Sequence, residues 1–258
     1  MISIVTANIT GGLNYLVNLV PTIERQKIPH EFILVDNASK DGSLNYMANH
    51  ESVIKVNTFK KSFSQSNNEG SKIATGDYLL FLNNDTKLEE NTLEEMLNTF
   101  EVDEKIGIVG CQIRLMTPPY KIQHAGVMFT DKYEPYELGL SQPFGIPELL
   151  SNDPRARDVR EVPAVTACCM MIKKSVFEKL GMFDENYKNG WEDVDLNLKA
   201  REVGYKIYYT GKTCIYHHRF GSKDRGRFDK EKENRDYYES VWMNTGRARK
   251  VLGNFREA

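Results

Sequence analysis

Residues Asp77 to Leu82 (Asp-Tyr-Leu-Leu-Phe-Leu) make a short apolar run that passes straight into Asn83-Asn84-Asp85-Thr86. An apolar run of this length, stopped by a polar turn, reads as a β-strand rather than a helix. Comparable runs lie at Ile2 to Ala7, Glu31 to Val35, Ser52 to Val56 and Ile106 to Cys111. Helix-like segments separate them. Gly12 to Gln26 carries Leu13, Leu16, Val17 and Val20 at helical spacing, with Pro21 expected to kink or shorten it. Ser64 to Ala74 reads as a short helix and Leu88 to Val102 as an acidic amphipathic one. Strands alternating with helices predict βαβ units, and so an α/β fold whose central sheet is mostly parallel and flanked by helices.

Composition sets the outer limits. The chain has 258 residues, 40% hydrophobic and 10% aromatic, which is enough apolar material for a packed core and excludes a disordered chain. That length allows one large domain or two small ones. Lys and Arg (34) nearly balance Asp and Glu (36), for a net charge of −2. A dedicated nucleic-acid binder needs a surplus of cations to neutralise phosphates, so that class is excluded. No apolar stretch approaches the ~20 residues of a spanning helix, and Met1-Ile-Ser-Ile-Val-Thr6 lacks the basic start of a signal peptide. Cys111, Cys168, Cys169 and Cys214 form no CxxC pair, which predicts buried free thiols in a reducing cytosol rather than a zinc site.

The middle of the chain changes character. Met116 to Asp158 holds six of the nine prolines and reads as loop-rich. Regular patterning resumes at Val162 to Ile172, with helices expected around Lys174 to Leu180 and over Glu192 to Val203, the latter closed by Gly204. Tyr205 to Tyr209 and Cys214 to His217 read as two strands, and Asp229 to Leu252 as a final amphipathic helix. Within that helix Tyr237, Tyr238 and Trp242 read first as core residues.

Four strand ends carry polar side chains: Thr6 and Asn8, Asp36 and Asn37, Asn83 and Asp85, and His217. In open parallel α/β sheets ligands collect outside the carboxyl ends of the strands. Neither GxGxxG after the first strand nor GxxxxGK[ST] occurs, so a dinucleotide enzyme of the usual kind and a P-loop NTPase are both disfavoured. Several segments together resemble the inverting glycosyltransferases of family 2, which have the GT-A fold (the Rossmann-like fold of nucleotide-diphospho-sugar transferases). They are Ser3-Ile-Val-Thr-Ala-Asn8, Val35-Asp-Asn-Ala-Ser-Lys-Asp-Gly-Ser43, Asn67-Asn-Glu-Gly70 and Gly76-Asp-Tyr-Leu-Leu-Phe-Leu-Asn-Asn-Asp-Thr86. Gly181-Met-Phe-Asp-Glu185, Trp191-Glu-Asp-Val-Asp-Leu196 and His217-His-Arg-Phe-Gly-Ser222 follow in the family's order.

The resemblance implies roles. Thr6 and Asp36 would meet the nucleotide base, Asp36 accepting from the N3–H of uracil or thymine. Asn8, Asn67, Asn83 and Asn84 would also lie on the donor. Asn83-Asn84-Asp85 takes the place of the family's DxD motif, with Asn where the first Asp stands. Asp85 then becomes the triplet's one carboxylate, and with His217 it would hold a divalent metal, Mn²⁺ or Mg²⁺. Asp193 would be the general base of an inverting transfer, Glu192 would orient it or touch the acceptor, and Trp191 would stack on an acceptor sugar. Arg219 to Arg227, with a local surplus of three positive charges and Arg225 at its centre, would meet the leaving diphosphate. Gln123-His124-Ala-Gly126 resembles a motif of sugar-transferring relatives, without a role for His124.

The expectation is therefore a metal-assisted, inverting hexosyltransferase that moves a sugar from a UDP- or dTDP-linked donor to a hydroxyl of a glycan, lipid-linked or protein-linked acceptor. A nucleotidyltransferase and a non-catalytic glycan-binding or assembly subunit are the alternatives. Residues 1–112 would form the nucleotide-sugar-binding half of a GT-A domain, 113–227 its acceptor and catalytic half, and 228–258 a helical extension. The expected location is the cytoplasm, with peripheral association at the inner face of the membrane compatible with it.

Overall fold

A computed structural model describes residues 1–57, 59, 61–140, 147–218, 230–253 and 255. The chain begins as predicted, with β1 (Ile2–Asn8), α1 (Leu13–Glu24), β2 (His30–Asn37), α2 (Ser43–Met47), β3 (Val53–Asn57), α3 (Phe63–Ile73) and β4 (Tyr78–Leu82). Helix α1 buries Leu16, Leu19, Val20 and Ile23, one stripe of a 3.6-residue repeat, and it runs through Pro21 to Glu24. Helix α3 starts on a capping box in which the Ser62 side chain accepts from the Gln65 amide and the Gln65 side chain accepts from the Ser62 amide. It lies close against β1 at Gly70, where a Cβ would overlap Val5.

The rest comprises β5 (Thr86–Leu88), α4 (Thr92–Thr99), β6 (Ile106–Leu115), β7 (Ile122–Phe129), β8 (Pro135–Gly139), α5 (Pro154–Arg157), β9 (Val159–Glu161), β10 (Cys169–Lys173), α6 (Lys174–Lys179), α7 (Glu192–Glu202) and β11 (Lys206–His217). Helices α8 (Glu231–Tyr238) and α9 (Arg247–Leu252) follow, joined through a π-helical turn at Glu239–Met243.

The main sheet runs β3-β2-β1-β4-β10-β6-β11-β5. Strands β1 to β4, β6 and β11 point the same way; β10 and β5 run against them. The central sheet is thus mostly parallel, as expected, and the carboxyl ends of β1, β2, β4 and β11 lie along one edge. Successive residues of a strand alternate faces, so each face builds its own core. Ile4, Leu34 and Leu80 pack beneath α1 and α4, whereas Val5, Ile33 and Phe81 pack with Phe177 of α6 and Leu196 of α7. A third cluster joins Val194 and Leu198 of α7 to Tyr238, Trp242 and Leu252. All four cysteines are free and buried.

Several expectations change. The Pro-rich middle is loop-rich as read, but β7 and β8 form an antiparallel hairpin within it, with β7 also on β6. The two strands read at Tyr205–Tyr209 and Cys214–His217 are one strand, β11, whose register against β6 slips between Thr210 and Cys214. Acidic helix 88–102 shrinks to Thr92–Thr99, because Thr86–Leu88 pairs with β11. Where regular patterning resumes, over Val162 to Ile172, only β10 (Cys169–Lys173) is a strand, and the mostly buried residues ahead of it run through a bend and a turn. The single C-terminal helix is broken at Gly246, which has φ +73°.

Candidate active site

Polar side chains at three neighbouring strand ends satisfy one another. Asn84 Nδ2, just past β4, donates to Asn8 Oδ1 at 2.9 Å, and Asn8 Nδ2, at the end of β1, donates to Asp36 Oδ2 at 2.8 Å. The Ser39 amide donates to Asp36 Oδ1 at 2.9 Å and the Ser39 hydroxyl to Oδ2 at 2.5 Å. Asn8, Asp36 and Asn84 are all buried. Register brings them together, since Asn8 pairs with Asp36 across β1 and β2. Thr6 shares the face of Asn8, and its buried hydroxyl has no hydrogen-bond partner among the described residues. Asn67 is buried on α3, its amide donating to the Phe63 carbonyl of its own helix at 2.9 Å.

Asp41 and Gly12 were not singled out in the sequence. Asp41 Oδ2 accepts from the Gly11 amide at 2.6 Å and the Leu13 amide at 3.1 Å, tying the loop after β1 to the loop after β2. Gly12 lies against the Asn8 and Asn84 side chains with no room for a Cβ.

Strand β5 sets the second cluster. Thr86 pairs with His217 on β11, so Asp85 falls beside the end of that strand, and the His218 amide donates to the Asp85 carbonyl at 2.9 Å. Asp85 Oδ1 is 3.2 Å from His217 Nε2, and His217 Nδ1 is 2.9 Å from Gln123 Oε1. Burial lowers the pKa of His217, but Cys168 and the Asp85 carboxylate beside it reverse the sign and raise it well above 6.5. Burial pushes the Cys168 thiol up as well. A cleft of about 360 Å³ opens beside the pair, lined by Asn14, Tyr15, Asn18, Asp85, Thr86, Met116 and His218.

Oxygen and nitrogen at cis positions of one octahedral divalent ion stand about 3 Å apart, the separation of Asp85 Oδ1 and His217 Nε2. The pair therefore fits two positions of such an ion. Among the described residues no group of three or more His, Cys, Asp or Glu side chains could hold one.

The third cluster sits at the start of α7. Asp193 Oδ2 accepts from the Ala167 amide at 2.9 Å and its Oδ1 from the Val194 amide at 2.9 Å, which fixes the half-buried carboxylate. Glu192 is buried, and its Oε2 accepts from the Gly190 amide at 2.6 Å. Trp191 has φ +75°, a strained backbone for a bulky residue. Its ring lies on Tyr238 with centroids 5.0 Å apart, and its Nε1 donates to Glu231 at 3.0 Å. Tyr238 and Trp242 are fully buried, the core placement read from the sequence.

Clusters two and three share a mooring. The Asn83 amide donates to the Cys168 carbonyl at 3.0 Å, and the Ala167 amide, one residue earlier, holds Asp193. Arg225 and the rest of Arg219–Arg227 lie outside the described residues. Gln123, named in the sequence only as part of Gln123-His124-Ala-Gly126, is a contact of His217 that sequence reasoning missed.

The family model described as Glycosyl transferase family 2 matches residues 3–181. O-antigen biosynthesis protein RfbC of Myxococcus xanthus is 34% identical over 165 residues, covering 61% of this chain and 12% of RfbC. N-acetylglucosaminyl-diphospho-decaprenol L-rhamnosyltransferase of Mycobacterium tuberculosis is 32% identical over 66 residues, covering 26% of this chain and 22% of that protein. The chain thus spans less than a quarter of the length of either relative. Among solved structures, GalNAc-T7 with UDP, GalNAc and Mn²⁺ superposes with a TM-score of 0.66 at 18% identity, over 84% of this chain and 43% of that one. Staphylococcus aureus TarS 1–349 with UDP superposes at 0.57 and 16% identity, over 83% and 59%. At such identities the likeness is one of fold, the GT-A fold. The family match runs from β1 through α6, takes in the strand ends of the first cluster and Asp85 but neither His217 nor Asp193, and covers more than half of the chain, which therefore belongs to glycosyl transferase family 2.

Proposed function

We propose that this chain transfers a glycosyl unit, with inversion and metal assistance, from a UDP- or dTDP-sugar to a hydroxyl of a glycan or glycoconjugate. The observation that carries the reading is the shared mooring. Ala167 and Cys168 hold the Asp193 carboxylate on one side and the Asn83-Asn84-Asp85 turn on the other. Residues 1–112 then carry the donor side, 113–227 the acceptor and catalytic side, and 228–258 a helical extension.

In this reading Asp36 accepts the N3–H of a uracil or thymine ring. Its Oδ1 receives only the Ser39 amide among the described residues, while a carboxylate oxygen has two acceptor sites. Asn8 and Asn84 hold Asp36 in place, and Asn67 and Asn83 line the donor near the ribose. Asp85 and His217 hold the divalent ion; when bound, Mn²⁺ or Mg²⁺ stabilises the charge that develops on the leaving diphosphate. Arg225 adds positive charge there. Asp193 takes the proton of the attacking hydroxyl, its orientation set by two backbone amides, and Glu192 and Trp191 shape the acceptor side. The names of the M. xanthus and M. tuberculosis relatives point to a surface-polysaccharide or lipid-linked acceptor, and such an acceptor would bring the protein to the inner face of the membrane. Among the described residues no helix is long and apolar enough to cross one.

The test is release of UDP or dTDP from a panel of nucleotide sugars with Mn²⁺. Wild type is expected to turn over, and Asp193→Asn to lose at least about 10²-fold in kcat with donor Kd unchanged. Asp85→Ala should remove the Mn²⁺-dependent part of donor affinity in calorimetry. Full turnover by Asp193→Asn would end the base assignment, a preference for GDP would end the reading of Asp36, and donor binding without any turnover would favour a non-catalytic subunit.

A further inference from the structure

His217 has two ring nitrogens, and only one of them can serve a metal beside Asp85. Nε2 faces Asp85 Oδ1 at 3.2 Å, while Nδ1 is 2.9 Å from Gln123 Oε1. Strand β6 brings these residues together: Ile113 pairs with His124 of β7 on one side and with Ile215 of β11 on the other. Gln123 is 5% exposed. An amide oxygen can only accept, so a hydrogen bond to Nδ1 requires the proton on Nδ1. In the neutral ring the lone pair is then left on Nε2, on the side of Asp85; without a metal the Asp85 carboxylate at 3.2 Å is a rival acceptor for the single ring proton, and a cation held by Asp85 removes that rivalry. With the amide the other way round, its N–H would occupy Nδ1 and force the proton onto Nε2, closing the metal position.

We propose that Gln123 is a positioning residue that fixes His217 in the Nδ1–H tautomer and so presents the Nε2 lone pair to a divalent cation shared with Asp85. The metal clause rests on the functional reading above; the tautomer clause rests on the Gln123 contact and applies where the Asp85 carboxylate does not take the ring proton. A free neutral histidine favours the opposite tautomer, so the contact has something to reverse. Such outer partners of a ligating histidine set its tautomer and ring orientation, and their loss costs about 10–100-fold in metal affinity. An apolar side chain would fill the same space without accepting a hydrogen bond, which separates packing from proton control.

The test uses the whole chain carrying Asp85→Ala, which removes the rival acceptor, labelled with ¹⁵N-histidine, without metal, at alkaline pH where the ring is neutral. Long-range ¹H–¹⁵N correlation reports which nitrogen carries the proton; His217, one of five histidines, is assigned by the signals lost in His217→Gln. Asp85→Ala is expected to show protonated Nδ1 and bare Nε2. Adding Gln123→Glu, which keeps an acceptor oxygen, should preserve that pattern, and adding Gln123→Met should lose it. With Asp85 in place, Mn²⁺ affinity in the presence of UDP should fall about 10–100-fold in Gln123→Met and stay within a few-fold in Gln123→Glu, with metal-free UDP affinity unchanged. A ring protonated on Nε2 in Asp85→Ala overturns the proposal, as does an unchanged tautomer when Gln123→Met is added. An Nδ1–H tautomer in Asp85→Ala together with wild-type UDP binding that does not depend on Mn²⁺ overturns the metal reading and the metal clause, and supports the tautomer clause.

Discussion

Gly12 owes its place to space rather than to backbone conformation. Its φ of −75° suits any residue, but a Cβ there would overlap the Asn8 side-chain oxygen and press on Asn84. Gly12→Ala should therefore push apart the bonds that join Asn84, Asn8 and Asp36. The expected loss is about 1–3 kcal/mol in urea unfolding, together with weaker UDP binding in calorimetry. His124 makes a second case. Both ring nitrogens are buried without a hydrogen bond among the described residues, and burial, with Arg160 nearby, lowers its pKa to about 3. The unfolded ring titrates near 6.5, so between those values the unfolded chain holds a proton that the folded chain does not. Stability should therefore fall as pH drops through 6.5 towards 3. Between pH 7 and pH 5 wild type should lose about 2 kcal/mol more than His124→Leu, read from urea melts at both pH values. Sequence patterning made His124 visible and left it without a role, because burial is not encoded in its immediate neighbours.

Helix α7 carries the candidate base, and its two long sides face different partners. Leu196 and Ala200 pack towards the sheet, while Val194 and Leu198 pack towards the C-terminal helices. A helix covered on both sides has no single apolar stripe, which is why acidic and apolar residues mingle in its sequence. Trp242 fastens the outer side: its Nε1 donates to Asp195 Oδ1 at 2.7 Å, and Lys199 Nζ lies 2.6 Å from Asp195 Oδ2. Burial raises the pKa of Asp195, and the bonds from Lys199 and Trp242 oppose it. Trp242→Phe keeps most of the packing and removes the donor, so it should cost about 1–3 kcal/mol in unfolding free energy. Turnover should fall with donor affinity unchanged, since none of the proposed donor contacts lies on α7. The end of α7 was legible in Gly204, which has φ +92°. The π-helical turn and the break at Gly246 were not, because they follow from seating Trp242 on α7.

Across the whole molecule one strand joins what the sequence keeps apart. Strand β10 lies between β4 and β6, antiparallel to both, and β11 covers the other side of β6. A fragment of residues 1–112 would keep β1 to β4 but leave β6 without either neighbour. It should therefore show no cooperative urea transition and weak near-UV circular dichroism, whereas the full chain should unfold cooperatively.

The strand-end chemistry was legible because it is local. An apolar run that stops in Asn-Asn-Asp, or in His217, says what stands at the edge of a sheet whatever the strand order. The α/β class was legible for the same reason, through the alternation of periods along the chain. The resemblance had already paired His217 with Asp85; only the tertiary structure decided that His217 also meets Gln123, and that Ala167 holds Asp193 while Cys168 holds Asn83. Those contacts depend on strand order and register, which are set by burying both faces of the sheet at once, and a linear pattern read segment by segment carries no such term.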